Sequence, residues 1–183
     1  VNIPHGLTAL GSLTDKDKAD MIFAIKTGYD AVALSFVRKK EDIEEARSHM
    51  VEHGGKIVPI IAKLETRQAM ANLESIIEAA DVVMVARGDL GVEVGIAHVP
   101  MYQKEICEIA KKFNKPVIVA TQMLESMVES PVPTRAEVSD VVNAVLDGAS
   151  YVMLSDETTI GKHPVECVQT LASILKEYKV DPI

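Results

Sequence analysis

The run Val82-Val83-Met84-Val85-Ala86, continuing directly into Arg87-Gly88-Asp89-Leu90-Gly91, decides the fold class. Five apolar residues are too few for a helix, and the β-branched Val82, Val83 and Val85 favour an extended chain. No polar residue alternates through the run, so both faces of the strand should be buried, as in a parallel sheet covered by helices. The polar, glycine-containing stretch that follows sits where such proteins carry their chemistry, at the C-terminal end of a parallel strand.

Four further runs have the same character: residues 31–36 (A-V-A-L-S-F), 56–62 (K-I-V-P-I-I-A), 116–120 (P-V-I-V-A) and 151–154 (Y-V-M-L). Pro59 cannot donate a ladder hydrogen bond and is read as lying near the start of its strand. Amphipathic helices fill the gaps. Thr14 reads as an N-cap, with Asp15 and Asp17 in the first turn of a helix ending at Gly28. Residues 40–52 place Ile43, Ala46 and Met50 at helical spacing before Gly54-Gly55, and residues 66–80 do the same with Leu73, Ile76, Ile77 and Ala80. Residues 101–113 carry Ile106, Ile109 and Ala110. Thr134-x-x-Glu137 is a capping box after Pro131 and Pro133, opening a helix that Gly148 stops. His163-Pro164 opens the last helix, and residues 178–183 read as a fraying end. The expected order is five βα units after an initial helix, one α/β domain over residues 1–183 with parallel strands and right-handed crossovers.

The length of 183 residues supports a core without disulfide or metal staples. It falls short of the roughly 250 residues of a closed (β/α)8 barrel. Aromatics are 4% and Trp is absent, so the core is aliphatic. The net charge of −8, with no long basic run, argues against nucleic-acid and anionic-membrane binding. No apolar run approaches the roughly 20 residues of a membrane span, and no secretory signal pattern opens the chain. Cys107 and Cys167 lack zinc-site spacing and read as buried, reduced thiols of a cytoplasmic protein. Neither G-x-G-x-x-G nor G-x-x-x-x-G-K-[ST] occurs, which disfavours a dinucleotide site or P-loop.

The expected strands hand polar residues to one rim: Ser35-Phe36-Val37-Arg38, Lys63-Leu64-Glu65, Arg87-Gly88-Asp89, Thr121-Gln122 and Ser155-Asp156-Glu157-Thr158. Singly, each has an ordinary structural reading: a surface ion pair for Lys63 and Glu65, a turn and cap for Gly88 and Asp89, satisfied hydroxyls for Thr121 and Ser155. Together they form a constellation with a mechanism. Lys63 and Glu65, at i and i+2, share a strand face. Glu65 and Asp89 are hard oxygen ligands suited to Mg2+ or Mn2+. Lys63 adds a compact positive charge, and Gly88 lets a ligand approach the backbone. Such a site suits an enolate, a carboxylate or a phosphoryl group in transfer.

The motif Met84-Val-Ala-Arg87-Gly88-Asp89-Leu90-Gly91-Val-Glu93 resembles the metal- and substrate-binding signature of the pyruvate kinase family. Residues 115–127 (K-P-V-I-V-A-T-Q-M-L-E-S-M) and 133–149 (P-T-R-A-E-V-S-D-V-V-N-A-V-L-D-G-A) resemble the same family, as do Ile60-Ile-Ala-Lys63-Leu-Glu65 and Ser35-Phe36-Val-Arg38 in order and spacing. Val1-Asn2-Ile3-Pro4 resembles the stretch where that family's chain re-enters its barrel. The resemblance implies a partial TIM (β/α)8 barrel, its last five βα units, with the lid and C-terminal regulatory domains outside the chain. It implies phosphoryl transfer from phosphoenolpyruvate to ADP, giving pyruvate and ATP, with Mg2+ or Mn2+ and K+; the K+ ligands and a phosphate-binding Arg are expected in earlier strands that this chain lacks. Carried over, Lys63 stabilises the enolate and the phosphoryl group. Glu65 and Asp89 ligate the metal. Gly88, Asp89 and Thr121 bind the substrate carboxylate, with Thr121 near the face where the enolate is protonated. Ser155 and Glu157 match the last-strand motif and are candidates for a proton relay. Asp156 departs from the family's usual Gly there. The resemblance further implies a homo-oligomer or association with the rest of the barrel. Two other readings stand beside it: a metal-dependent aldolase or lyase acting on pyruvate enolates, and a non-catalytic truncated paralogue.

Overall fold

A computed structural model describes residues 13–54 and 57–178. The stretch resembling the barrel re-entrance, residues 1–4, lies outside the described residues, as do 179–183. The strands are β1 (Val32–Leu34), β2 (Ile60–Leu64), β3 (Val82–Ala86), β4 (Val117–Ala120) and β5 (Tyr151–Met153). They form one parallel sheet in the order β1-β2-β3-β4-β5. Each strand is the neighbour of the next in sequence, so the crossovers march one way around the sheet. That is the pattern of a barrel wall, whereas a doubly wound sheet reverses direction part-way.

Helices α1 (Asp15–Thr27) and α2 (Lys40–His49) flank β1, and α3 (Arg67–Met70) with α4 (Leu73–Ala79) follow β2. Next come α5 (Arg87–Val94) and α6 (Val99–Lys112) after β3, α7 (Arg135–Asp147) after β4, and α8 (Asp156–Thr159) and α9 (Pro164–Glu177) after β5. The crossover helices pack side by side in chain order, α2 on α4, α4 on α6, α6 on α7 and α7 on α9. Ile60, Ala62, Leu64, Val83, Val85, Val117 and Val119 are buried in the core beneath this layer.

The local signals explain most of these elements. Thr14 and Thr134 cap α1 and α7 through reciprocal capping boxes with Asp17 and Glu137, and Gly28 and Gly148 close both helices in the left-handed conformation. Three expectations change. Residues 66–80 form two short helices, α3 and α4, broken at Ala71 and Asn72. The stretch after β3 is α5 itself, beginning at Arg87, so Gly88 and Asp89 stand in a helical first turn. Burial on both strand faces holds only in part: β2 alternates between buried and half-buried residues. By register, Ala33, Ile61, Val82, Ile118 and Tyr151 share the face opposite the helix core, and all are exposed or half-buried. Pro59 falls just before β2, where its carbonyl accepts the Val32 amide at 3.0 Å and its missing N–H costs no ladder bond.

The N-terminal edge of the sheet is tied for stability. Asp81 accepts hydrogen bonds from Arg47 of α2 at 2.7 Å and from the Ile60 amide at 2.8 Å. Among the described residues, no helix is long and apolar enough to cross a membrane.

The α7 capping box carries a pH signature. Partial burial alone would push Glu137 up. Hydrogen bonds from the Ser126 hydroxyl and amide and from Thr134 outweigh it, holding the carboxyl below its ordinary 4.5. A carboxylate held low in the folded state contributes stability above its unfolded value, lost as pH falls through the folded one. Urea unfolding at a series of pH values should therefore show Glu137→Gln losing stability at neutral pH, with the difference from the parent shrinking on the acid side of 4.5. Thr134→Ala, which removes the cap, should cost about 1 kcal/mol.

Candidate active site

The rim at the C-terminal ends of the strands holds every residue singled out from the sequence. Lys63 lies in β2 and Glu65 one residue past it. Glu65 is completely buried, with Oε1 accepting the Phe36 amide at 2.6 Å and Oε2 lying 3.0 Å from Lys63 Nζ. The ammonium group donates in turn to Ser35 Oγ at 3.0 Å. Although close to Lys63, Glu65 Oε2 has no hydrogen-bond partner of acceptable geometry. Burial pushes the Glu65 carboxyl up, the Phe36 amide and Lys63 pull it down, and the charge of Asp89 raises it again. The two carboxylates therefore feel one another across the β2–β3 boundary.

Backbone strain marks the same rim. Phe36, Thr121 and Gln122 have φ of 56°, 71° and 53°, in the left-handed region that residues other than glycine seldom occupy. At Phe36 this conformation accompanies the hydrogen bond that its backbone N–H donates to Glu65 Oε1. At Thr121 and Gln122 it accompanies two carbonyls that accept from Arg87: Nη2 reaches Thr121 O at 2.7 Å and Gln122 O at 3.0 Å, and Nε reaches Thr121 O at 3.2 Å. Thr121 Oγ1 accepts the Gly88 amide at 2.9 Å. A Cβ at Gly88 would sit 3.6 Å from that hydroxyl oxygen, filling the space between α5 and the strand-four rim at ordinary contact distance.

Ser155 and Glu157 lie on the β5 side. Glu157 is fully buried, and both its oxygens accept backbone amides, Oε1 from Leu124 at 3.0 Å and Oε2 from Ser155 at 2.8 Å. It thereby ties the loops after β4 and β5 together. Asp156 is exposed at the start of α8, where its charge, with those of Glu157 and Glu137, adds to the burial that pushes Glu125 up. Cys107 and Cys167 are buried, and burial raises the Cys107 thiol to about 12, which keeps it protonated and unreactive.

Comparison with known proteins identifies the family. The family model described as pyruvate kinase, barrel domain, matches residues 1–168. The chain belongs to the pyruvate kinase family.

Among its relatives, pyruvate kinase from Thermotoga maritima is 49% identical over 177 residues, which is 97% of this chain and 38% of that protein. Pyruvate kinase 2 from Synechocystis is 50% identical over all of this chain and 31% of its own length. Pyruvate kinase from Corynebacterium efficiens is 52% identical over 99% of this chain and 38% of its own length. The chain thus spans about a third of the relatives it matches.

Within this family member, three contributors stood in the quoted rim segments or motifs but were given no role from the sequence: the Phe36 amide, the Arg87 side chain and its partner Asp140. Their roles have no local signal, since Arg87 contacts residues 34 to 53 positions away. The arrangement around Glu157 also generates a test. Glu157→Gln turns an amide NH2 toward one of two buried N–H donors. It should lower unfolding stability by about 1–3 kcal/mol, the usual cost of an unsatisfied buried group, measured by chemical denaturation. A proton relay would instead show as lost turnover at unchanged stability.

Proposed function

We propose that this chain provides the metal- and enolate-binding part of a pyruvate kinase site, which moves a phosphoryl group from phosphoenolpyruvate to ADP and releases pyruvate and ATP. The observation that carries this reading is the buried Glu65 Oε2, a carboxylate oxygen without a hydrogen bond, beside Lys63 and under the influence of Asp89. A buried carboxylate is stable only when its charge is paired or coordinates a metal, and a cation held together with Asp89 would add to the pairing that Lys63 already supplies. Among the described residues no group of three or more His, Cys, Asp or Glu gathers. Two carboxylates fit Mg2+ or Mn2+, which keep several positions for water and substrate oxygens.

Glu65 and Asp89 would hold the divalent cation, which supplies neutralisation of the charge on the transferring phosphoryl group and the enolate oxygen. Lys63 places its ammonium at the same point, fixed by Ser35 and Glu65, so that positive charge faces the developing negative charge without reorganisation. Thr121 accepts the Gly88 amide through its hydroxyl oxygen, which leaves its own proton available to a substrate carboxylate oxygen or to the enolate face. Glu157 joins the β4 and β5 rim loops, and Ser155 is held by it.

Mn2+ binding, followed by water-proton relaxation, tests the metal assignment. Glu65→Gln and Asp89→Asn should each weaken it by about tenfold or more, the scale of one lost charged ligand, while Lys63→Met should retain it. Unchanged Mn2+ binding in both carboxylate variants would refute the site and favour a non-catalytic module. Pyruvate formation from phosphoenolpyruvate and ADP, read by coupled NADH oxidation, tests the whole reaction. The chain alone is expected to turn over slowly, because its residues account for the metal and enolate only. Cleavage of a 4-hydroxy-2-keto acid without ADP would establish the aldolase reading instead.

A second test uses Gly88→Ala. The added methyl meets Thr121 at ordinary contact distance, so thermal stability should be unchanged or slightly higher. Oxalate, a planar dianion resembling enolpyruvate, should bind about tenfold more weakly, since the methyl occupies the approach between Gly88 and Thr121.

A further inference from the structure

We infer that Arg87 is a positioning residue that sets the substrate-carboxylate side of the site through backbone carbonyls. This rests on the functional reading above. Its side chain is only 9% exposed, although it carries a fixed charge. Every identified contact of the guanidinium is directed at one neighbouring segment and one helix. Nη2 and Nε grip the Thr121 and Gln122 carbonyls, Nη2 lies 3.0 Å from Met123 Sδ, and Nη1 donates to Asp140 Oδ2 of α7 at 2.6 Å.

Those two carbonyls belong to consecutive non-glycine residues in left-handed conformation. Each such residue is strained and persists only where its surroundings over-determine it. The Arg87 fork is the surrounding contact that reaches both. Asp140, 40% exposed, neutralises the guanidinium and anchors it to α7, so the strained pair is braced from β3 on one side and α7 on the other. The next residue after Arg87 in the chain is Gly88, whose amide donates to Thr121 Oγ1. A single Arg87-Gly88 dipeptide therefore fixes both the backbone and the hydroxyl of Thr121. Lysine offers its three donors from a single nitrogen, whereas these contacts are made from Nε, Nη1 and Nη2 at the separate corners of a planar fork.

The test separates positioning from bulk stability and from charge. Arg87→Ala, Arg87→Lys and Asp140→Asn are compared with the parent protein by three readouts: amide hydrogen exchange at Gly88 and residues 121–123, Mn2+ binding alone, and oxalate binding with Mn2+ present. Arg87→Ala should accelerate exchange at these amides and weaken oxalate by about tenfold, while Mn2+ affinity stays within about twofold. Arg87→Lys should fail to restore oxalate binding, and Asp140→Asn, which keeps an acceptor oxygen, should fall between the parent and Arg87→Ala. Unaltered exchange and oxalate affinity in Arg87→Ala would overturn the proposal, as would full rescue by Arg87→Lys or an equal loss of Mn2+ and oxalate. If the parent binds Mn2+ but no oxalate, the functional reading fails on its own, and the exchange comparison alone decides the Arg87 brace.

Discussion

A carboxylate that is completely buried has to be matched by its surroundings, and Glu65 is that carboxylate. Desolvation disfavours its charge, and Asp89 disfavours it further. What opposes them is local: the ammonium of Lys63 and the amide of Phe36, the latter aimed inward by a left-handed backbone that a phenylalanine adopts reluctantly. The two oxygens are served differently: Oε1 by the Phe36 amide, Oε2 by the charge of Lys63 at 3.0 Å without a well-aligned hydrogen bond. Strain at Phe36 and the buried Lys63–Glu65 ion pair are two consequences of one requirement, that a charged oxygen be held rigidly at the rim with little water around it.

Such a requirement can be met only if the scaffold below is indifferent to it. The parallel register supplies this separation. In β2 the residues Ile60, Ala62 and Leu64 face the helix core, while Lys63 takes the other face and Glu65 follows at the strand end. Polar contacts at the opposite edge, Arg47 and the Ile60 amide on Asp81, hold the sheet without involving the rim. Chemistry at one end and stability at the other is the general division of labour in barrels of this kind. Here it lets three strained residues at the rim be tolerated by a core that is fully buried below them.

The sequence made the scaffold legible because its determinants are local. Apolar run length, the Thr14 and Thr134 capping boxes and the glycines at helix ends each act within a few residues, so the order of elements along the chain and most helix ends could be read directly. Where the reading went astray, a non-local cause won. Residues 66–80 keep helical spacing throughout, yet the helix breaks at Asn72, whose side chain donates to the Arg38 carbonyl 34 residues away. The half-buried inner face of β2 is set by what packs on the sheet, which strand composition does not encode. For the candidate site, residue types and spacing pointed to Glu65, Asp89 and Lys63. They could not show that Glu157 spends both oxygens on backbone amides, because those partners come from two separate loops.

Placing the start of α5 directly at the end of β3 resolves how two halves of the site are kept in register. With no loop between strand and helix, Arg87, Gly88 and Asp89 have little freedom relative to the sheet. Asp89 exerts its charge on Glu65, on the β2 side. Arg87 and Gly88 reach the opposite way, to the strained residues after β4. A shift of the first turn of α5 would therefore disturb the carboxylate pair and the Thr121 contact together. Met84, Val85 and Ala86 are buried, and Leu90 pins the first turns of α5 into the core. The apolar run that decides the fold class is thus also the element that fixes the distance between the Glu65–Asp89 pair and Thr121.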